Sequence, residues 1–173
     1  MTTRTHDITL SALFMALGIL FPILFHTVGL GSVILPMFWP IAACAFFVPP
    51  SFALMVGTLT PLLSTMATGM PPPPTLYKMI FELAALAGCT ALLYRRTLWG
   101  VFWLVLAGLI ISKLAAILSA VIIGPMLGLP PAFYAIASLI KGLPGTVLIL
   151  FIIPLLVHRL TKEPLWKTRN LHV

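Results

Sequence analysis

The chain has 173 residues, of which 61% are hydrophobic and 8% charged, with a mean hydropathy of +1.16 and a formal net charge of +7. No soluble globular domain of this size has such a balance, so the composition indicates an integral membrane protein. The basic residues mostly lie at the ends of apolar runs, which relates the charge to membrane topology and excludes nucleic-acid binding.

Six apolar runs follow one another along the chain. A helix crosses the hydrocarbon core with about 20 residues, whereas a β-barrel would show short alternating segments. We therefore predict an all-α integral membrane protein, a six-transmembrane-helix bundle forming a single domain over residues 1–173. The predicted spans lie near 8–28, 33–48, 51–68, 77–94, 98–124 and 132–158.

The second predicted span is short and contains two prolines, Pro36 and Pro40. Proline lacks the backbone N–H and clashes with the preceding turn of a helix. We therefore expect this span to be partly broken or re-entrant.

The lysines and arginines are unevenly distributed over the connections between predicted spans. An even number of spans places both termini on one side, and that side carries Arg4, Arg95, Arg96 and the basic residues after the last span. The connections after the first, third and fifth spans contain no Lys or Arg. The positive-inside rule therefore predicts that both termini are cytoplasmic.

Charged residues inside the predicted spans point to a site in the outer half of the membrane. Glu82 is the only carboxylate in these spans, and Lys78 precedes it by one helical turn. Counting along the helices from the outer ends gives depths of about 8 Å for Glu82, about 14 Å for Lys141 and about 16 Å for Lys113. Such charges are costly in lipid and by default mark functional sites. Three lysines against one carboxylate leave an excess positive charge that a bound carboxylate or phosphate could satisfy.

Two structural interpretations of these charges stay open. Lys78 could extend to the headgroups with Glu82 as its neutralising partner, or the lysines and Glu82 could form a purely structural network. His26, about 3 Å deep, and two aromatic residues near span ends complete the candidates, although such aromatics more often belong to the core or the membrane interface. The predicted substrate-binding residues are Lys78, Glu82, Lys113, Lys141, His26, Trp39 and Tyr77.

Small residues mark one part of the first predicted span. Ala12 and Ala16 lie four positions apart in SALFMALG, with Ser11 before them and Gly18 after them. Small side chains at this spacing let the backbone of another helix approach closely. The pattern predicts a face that docks on a partner, and internal packing within the bundle is the alternative.

Several stretches share their pattern with one family of membrane proteins. They are the face from Ala12 to Ala16, FPILFHTVGLGSVILPM from Phe21 to Met37, TPLLSTMATGMPPPP, and FELA from Phe81 to Ala84. These stretches resemble the substrate-binding S components of energy-coupling factor (ECF) vitamin transporters. The similarity runs from about Ser11 to Arg95, and the last two spans agree only in length and placement. The chain departs from the pattern where Phe38 and Trp39 follow Met37, a place where a histidine is common.

The resemblance implies a role in ATP-driven import of a small, water-soluble vitamin or precursor, and the excess positive charge in the spans indicates that this substrate is anionic. In that family the vitamin binds in the outer half of the membrane, which implies a site beneath the loops at 29–35 and 69–76. It also implies that Ala12 and Ala16 dock on the transmembrane coupling protein, that two cytoplasmic ATPases drive uptake, and that the chain lies in a prokaryotic cell membrane. The sequence contains no GxxxxGK[ST] segment, so we expect ATP to be used by the partners and no cofactor on this chain.

Two other functional classes compete with this one. A membrane enzyme is disfavoured because acid–base or metal chemistry needs paired carboxylates or clustered histidines, whereas the spans offer Glu82 and His26. Cys44 and Cys89 lack a CxxC or a metal-ligand spacing, so no metal site is expected. A self-sufficient secondary transporter or channel is the main alternative, although it would show inverted repeats with matching broken helices, and the chain has no convincing internal repeat.

Overall fold

Helices account for nearly all of the chain that the structure describes. The computed structural model describes residues 2–27, 29, 31–123, 125 and 131–161, and the side chains of residues 2, 3, 32, 74, 123, 131–141 and 161 lie outside the described part. These residues form seven α-helices and contain no strand. The helices are α1 (Thr2–Thr27), α2 (Gly31–Ile34), α3 (Phe38–Phe47), α4 (Pro50–Thr68), α5 (Pro73–Arg96), α6 (Val101–Ile123) and α7 (Pro131–Thr161).

Five of the helices are long and apolar enough to cross a membrane. Large apolar side chains remain exposed along their outer surfaces, as at Leu24, Leu118 and Phe151, which lipid accommodates and water does not. The chain is therefore an all-α, multi-pass membrane protein, as the composition predicted. The five apolar segments are Arg4–Thr27, Pro50–Thr68, Thr75–Arg96, Val101–Ile122 and Gly142–Leu160.

Proline and glycine set the ends of the helices around the tetraproline turn. α4 begins at Pro50, where the missing N–H is tolerated, and it ends at Thr68, followed by Gly69, whose φ of 72° is left-handed. α5 likewise begins at Pro73, after Pro72. The predicted divisions at Pro49–Pro50 and at the tetraproline run are confirmed.

The second predicted span, 33–48, is not one helix. α2 ends at Ile34 and α3 begins at Phe38, with Pro36 in the break between them. Leu35 has a φ of 53°, a left-handed conformation that a leucine rarely adopts. The expected interruption is therefore confirmed at Pro36, whereas Pro40 lies in the first turn of α3, where a proline is tolerated.

α3 lies at the centre of the bundle. Nine of its ten residues are buried, and it packs against α1, α4, α5 and α7. A helix that is apolar on every side is typical of one enclosed by other helices. The long helices therefore surround a short central one.

α4 and α5 approach each other closely at Gly57. A Cβ atom added there would lie 2.5 Å from the backbone oxygen of Leu83. We expect Gly57→Ala to lower the free energy of unfolding by about 1–3 kcal/mol, because the backbone of α5 would have to shift. Unfolding in mixed micelles measures this loss. Gly100→Ala is the control, since a Cβ there meets only Trp103 Cδ1 at 4.0 Å, and equal losses in both variants would contradict the packing argument.

Candidate functional site

Three charged side chains from two helices meet in the bundle. Glu82 on α5 is 2% exposed, and Lys113 Nζ on α6 donates a hydrogen bond to its Oε1 at 2.5 Å. Lys78, one turn before Glu82, places its Nζ 3.7 Å from the other carboxylate oxygen, Oε2. We call Lys78, Glu82 and Lys113 the charge cluster. The structure thus brings together three of the predicted site residues.

The positions of Glu82 and Lys113 along their helices explain why they meet. α5 and α6 are neighbours joined by the short turn 97–100. Measured from the helix ends opposite that turn, Glu82 lies about 14 Å from Pro73 and Lys113 about 15 Å from Ile123. Glu82 is deeper than its predicted 8 Å because α5 begins at Pro73, four residues before the predicted span. The two side chains therefore lie at the same level.

An aromatic ring extends the charge cluster to the central helix. Lys113 Nζ lies 5.0 Å from the ring centroid of Phe38, a distance at which an ammonium group is attracted to the π-system. Phe38 is the first residue of α3 and is 2% exposed. Sequence reasoning did not include Phe38 among the site residues. Its only signal was its place after Met37, where the chain departs from the family pattern.

The charge cluster contains two ammonium groups and one carboxylate. Both lysines contact Glu82, so within the charge cluster itself the basic groups outnumber the carboxylate by one. Charged groups inside a protein are stable only when they are paired or hydrogen-bonded. The arrangement can therefore attract an anion to the level of Phe38.

The predicted aromatic residues differ in their positions. Trp39 follows Phe38 on α3, and its Nε1 donates to the carbonyl of Ile34 at 2.9 Å, so the indole closes the break between α2 and α3. Tyr77 is 42% exposed and lies one position before Lys78, on another face of α5. Among the described residues, no hydrogen bond joins Tyr77 to the charge cluster. Trp39 thus supports the α2–α3 break beside Phe38, whereas Tyr77 is not part of the charge cluster.

The remaining two candidates lie near α2. The exposed ring of His26 packs against Gly31, where an added Cβ would lie 2.7 Å from the imidazole. His26 therefore joins the end of α1 to the start of α2. The side chain of Lys141 lies outside the described residues. Its neighbour Gly142 packs against Leu35, because a Cβ added to Gly142 would lie 3.2 Å from Leu35 Cδ1. Leu35 is in the α2–α3 break, so the backbone of Lys141 lies at the level of that break.

Hydroxyl groups at the end of α4 hold the turn before α5. Ser64 Oγ donates to the carbonyl of Met70 at 3.0 Å, and Thr65 Oγ1 donates to the carbonyl of Pro71, also at 3.0 Å. Thr68 Oγ1 accepts a hydrogen bond from the backbone N–H of Met70 at 3.3 Å. These bonds fix the start of α5 and so the level of Glu82. The sequence signal was the run of hydroxyl residues before the prolines, which sequence reasoning missed.

An apolar groove between α6 and α7 reaches Lys113. Its volume is about 270 Å³. Lys113 is therefore shared between the charge cluster and the groove, which we call the α6–α7 groove. Its lining residues are Leu106, Leu109, Ile110, Lys113, Leu114, Thr146, Val147 and Leu150.

The small residues of α1 divide between two faces. Ala12 and Ala16 are exposed, so internal packing does not account for them. Ser11 and Gly18 are buried, and a Cβ on Gly18 would lie 2.6 Å from Thr60 Cγ2 of α4. Ser11 and Gly18 therefore do not belong to the predicted docking face. That face consists of Ala12 and Ala16 alone.

No family model, characterised protein or solved structure matches the chain.

Proposed function

We propose that the chain is the substrate-binding subunit of an ATP-driven importer of the ECF type, which captures a small, water-soluble, anionic vitamin or precursor. The observation that carries this proposal is the charge cluster, in which Lys78 and Lys113 outnumber Glu82 inside an apolar bundle. A membrane segment rarely retains such an excess of positive charge without a ligand or a pathway for one. The buried ring of Phe38 beside Lys113 helps to hold the ammonium group in place through its π-system.

In the proposed topology the chain crosses the membrane six times, with α2 and α3 together forming the second crossing. Arg95, Arg96, His158 and Arg159 are exposed at helix ends that would then share the cytoplasmic side with both termini. The charge cluster would lie in the outer half of a prokaryotic cell membrane, beneath α2 and the 69–72 turn. A substrate would therefore reach it from outside the cell.

Energy would come from partners. The sequence has no phosphate-binding GxxxxGK[ST] segment, so ATP would be hydrolysed by two cytoplasmic ATPases acting through a transmembrane coupling protein. The exposed small face of Ala12 and Ala16 supports docking on such a coupling protein, because it lets a second helix approach the backbone of α1.

One observation favours a self-sufficient secondary transporter instead. Such transporters place discontinuous helices at their substrate sites, and α2–α3 is discontinuous. They usually contain a matching break in a second repeat, and in the described part of α4 to α7 each helix is continuous. Substrate uptake by vesicles that contain this chain and no ATPase would establish the secondary transporter.

Mass spectrometry of the small molecule that co-purifies with the chain identifies the ligand, and calorimetry with that molecule then tests the site. We expect Lys113→Met to weaken binding by about tenfold to a hundredfold, the scale of one charge-assisted hydrogen bond. Lys141→Met is expected to weaken binding on the same scale. Leu118→Met is the matched control, because Leu118 lies on the same helix, is 61% exposed and uncharged, and is outside the groove lining. Unchanged affinity in both lysine variants, together with a large fall in melting temperature, would mean that the lysines are structural.

A further inference from the structure

The described lining of the α6–α7 groove contains few hydrogen-bonding groups. Among the described lining residues, the one polar side chain besides Lys113 is that of Thr146, whose hydroxyl already donates to the carbonyl of Gly142 at 2.9 Å. A ligand with several hydroxyl or amide groups would leave them without partners here, at a cost of about 1–3 kcal/mol each. The groove is therefore suited to an apolar group.

The size and opening of the groove limit what it can hold. An apolar cavity of roughly 150 Å³ binds benzene, so the volume of about 270 Å³ accommodates about ten carbon atoms. Three of its lining residues are largely exposed, with values of 53% for Ile110, 60% for Leu114 and 51% for Val147. The groove therefore opens sideways between α6 and α7, toward lipid.

Lys113 connects this apolar space to the charge cluster. An ammonium group has three N–H donors, and Glu82 accepts a hydrogen bond from Lys113 through one of them. The remaining donors can pair with an anionic group placed at the end of the groove. Charge complementarity therefore selects a negatively charged head with an apolar body.

We propose that the α6–α7 groove holds the apolar body of the substrate while the carboxylate of the substrate pairs with Lys113. The substrate class is then a small amphiphilic carboxylate with an apolar part of up to about ten carbon atoms. This inference rests on the proposed function, because it assigns the substrate class of the same site. The acyl chain of a membrane lipid is the competing occupant, and the experiment separates the two.

The test is calorimetric binding to the full chain in phosphatidylcholine nanodiscs, with empty nanodiscs as the blank. The probes are octanoate, the hydroxylated carboxylate gluconate, and octyltrimethylammonium, which has an apolar chain and a positive head. We expect saturable binding of octanoate that is at least about tenfold tighter than that of either other probe. Lys113→Met and Val147→Trp should each weaken octanoate binding by about tenfold or more, through loss of the anion partner and loss of space.

Two further variants keep the test independent of folding defects. Leu155→Trp places a ring at an exposed position of α7 outside the groove lining, and octanoate affinity should stay within about twofold. Val147→Ala enlarges the groove, so its preference for decanoate over octanoate should rise relative to the unaltered chain.

The outcomes separate this inference from the proposed function. One outcome is that gluconate binds as tightly as octanoate, and that its binding is lost in Lys113→Met but kept in Val147→Trp. This outcome would overturn the assignment of the groove, while the anion site at Lys113 would be supported. Octanoate binding that is unchanged in Lys113→Met would show a groove for lipid chains only, which also overturns the assignment. If no anionic probe responds to Lys113→Met, both the assignment and the anion site fail.

Discussion

Replacing Ala16 by leucine, or Ala12 by leucine, is expected to abolish ATP-driven uptake while the affinity of the isolated chain for its substrate changes by less than about twofold. Both alanines are exposed on α1, and neither contributes to the interior. A larger side chain would hold the coupling protein away from the backbone of α1 without reaching the charge cluster. Uptake is measured in vesicles that contain the complete transporter, and affinity by calorimetry on the chain alone.

The control for these variants is Leu13→Phe on the same helix. Leu13 is 52% exposed and already large, so the added volume is small and most of the uptake should remain. Pull-down of the coupling protein by each variant gives a second readout, since loss of uptake should follow loss of the complex. A leucine variant that still forms the complex and transports at the normal rate would show that Ala12 and Ala16 face only lipid.

Glu82→Gln is expected to lower the free energy of unfolding by about 3–5 kcal/mol, the loss found when one partner of a buried ion pair is removed. The substitution keeps the shape of the side chain but leaves the ammonium groups of Lys78 and Lys113 without their carboxylate. Unfolding with sodium dodecyl sulfate in mixed micelles measures the change. A loss of less than about 1 kcal/mol would mean that water or lipid headgroups already neutralise the lysines.

The double variant Glu82→Gln/Lys113→Met is the matched control. Removing both members of the closest pair should recover part of the lost stability, because the ammonium group nearest the lost carboxylate is removed with it and only Lys78, which is 18% exposed, still loses this partner. The substrate supplies a further check. An anion that replaces the missing carboxylate should raise the melting temperature of Glu82→Gln by more than that of the unaltered chain.

The sequence predicted the positions of the charged residues along the helix axes better than it predicted the residues that pack around them. Helix rise alone placed Glu82 and Lys113 in the same half of the bundle, and the spacing of four residues placed Lys78 beside Glu82. The error of a few residues in the start of α5 made Glu82 look shallower than it is. The position of a residue along a helix axis follows from the number of residues before it, so an error of a few residues in the helix start shifts the predicted position only slightly.

The directions of side chains around the helices were harder to predict. α3 and α6 are apolar on every side, so no polar stripe indicates which residues face inward. On α5, Tyr77 was included as an aromatic ring near a helix end, and the structure leaves it exposed on a different face from Lys78. The same uncertainty placed Ser11 and Gly18 on one face with Ala12. Neighbouring helices decide these orientations, and no single segment contains that information.

The shallow packing of α1 has an evolutionary consequence. Only 11% of its apolar segment is buried, against 39% for that of α5. Substitutions on the outer side of α1 are therefore nearly neutral for folding, and natural variation there is free to change residue size. If related chains have only small residues at positions 12 and 16, a binding partner has selected for residue size there. If related chains have larger apolar residues at these positions, the positions contact lipid alone.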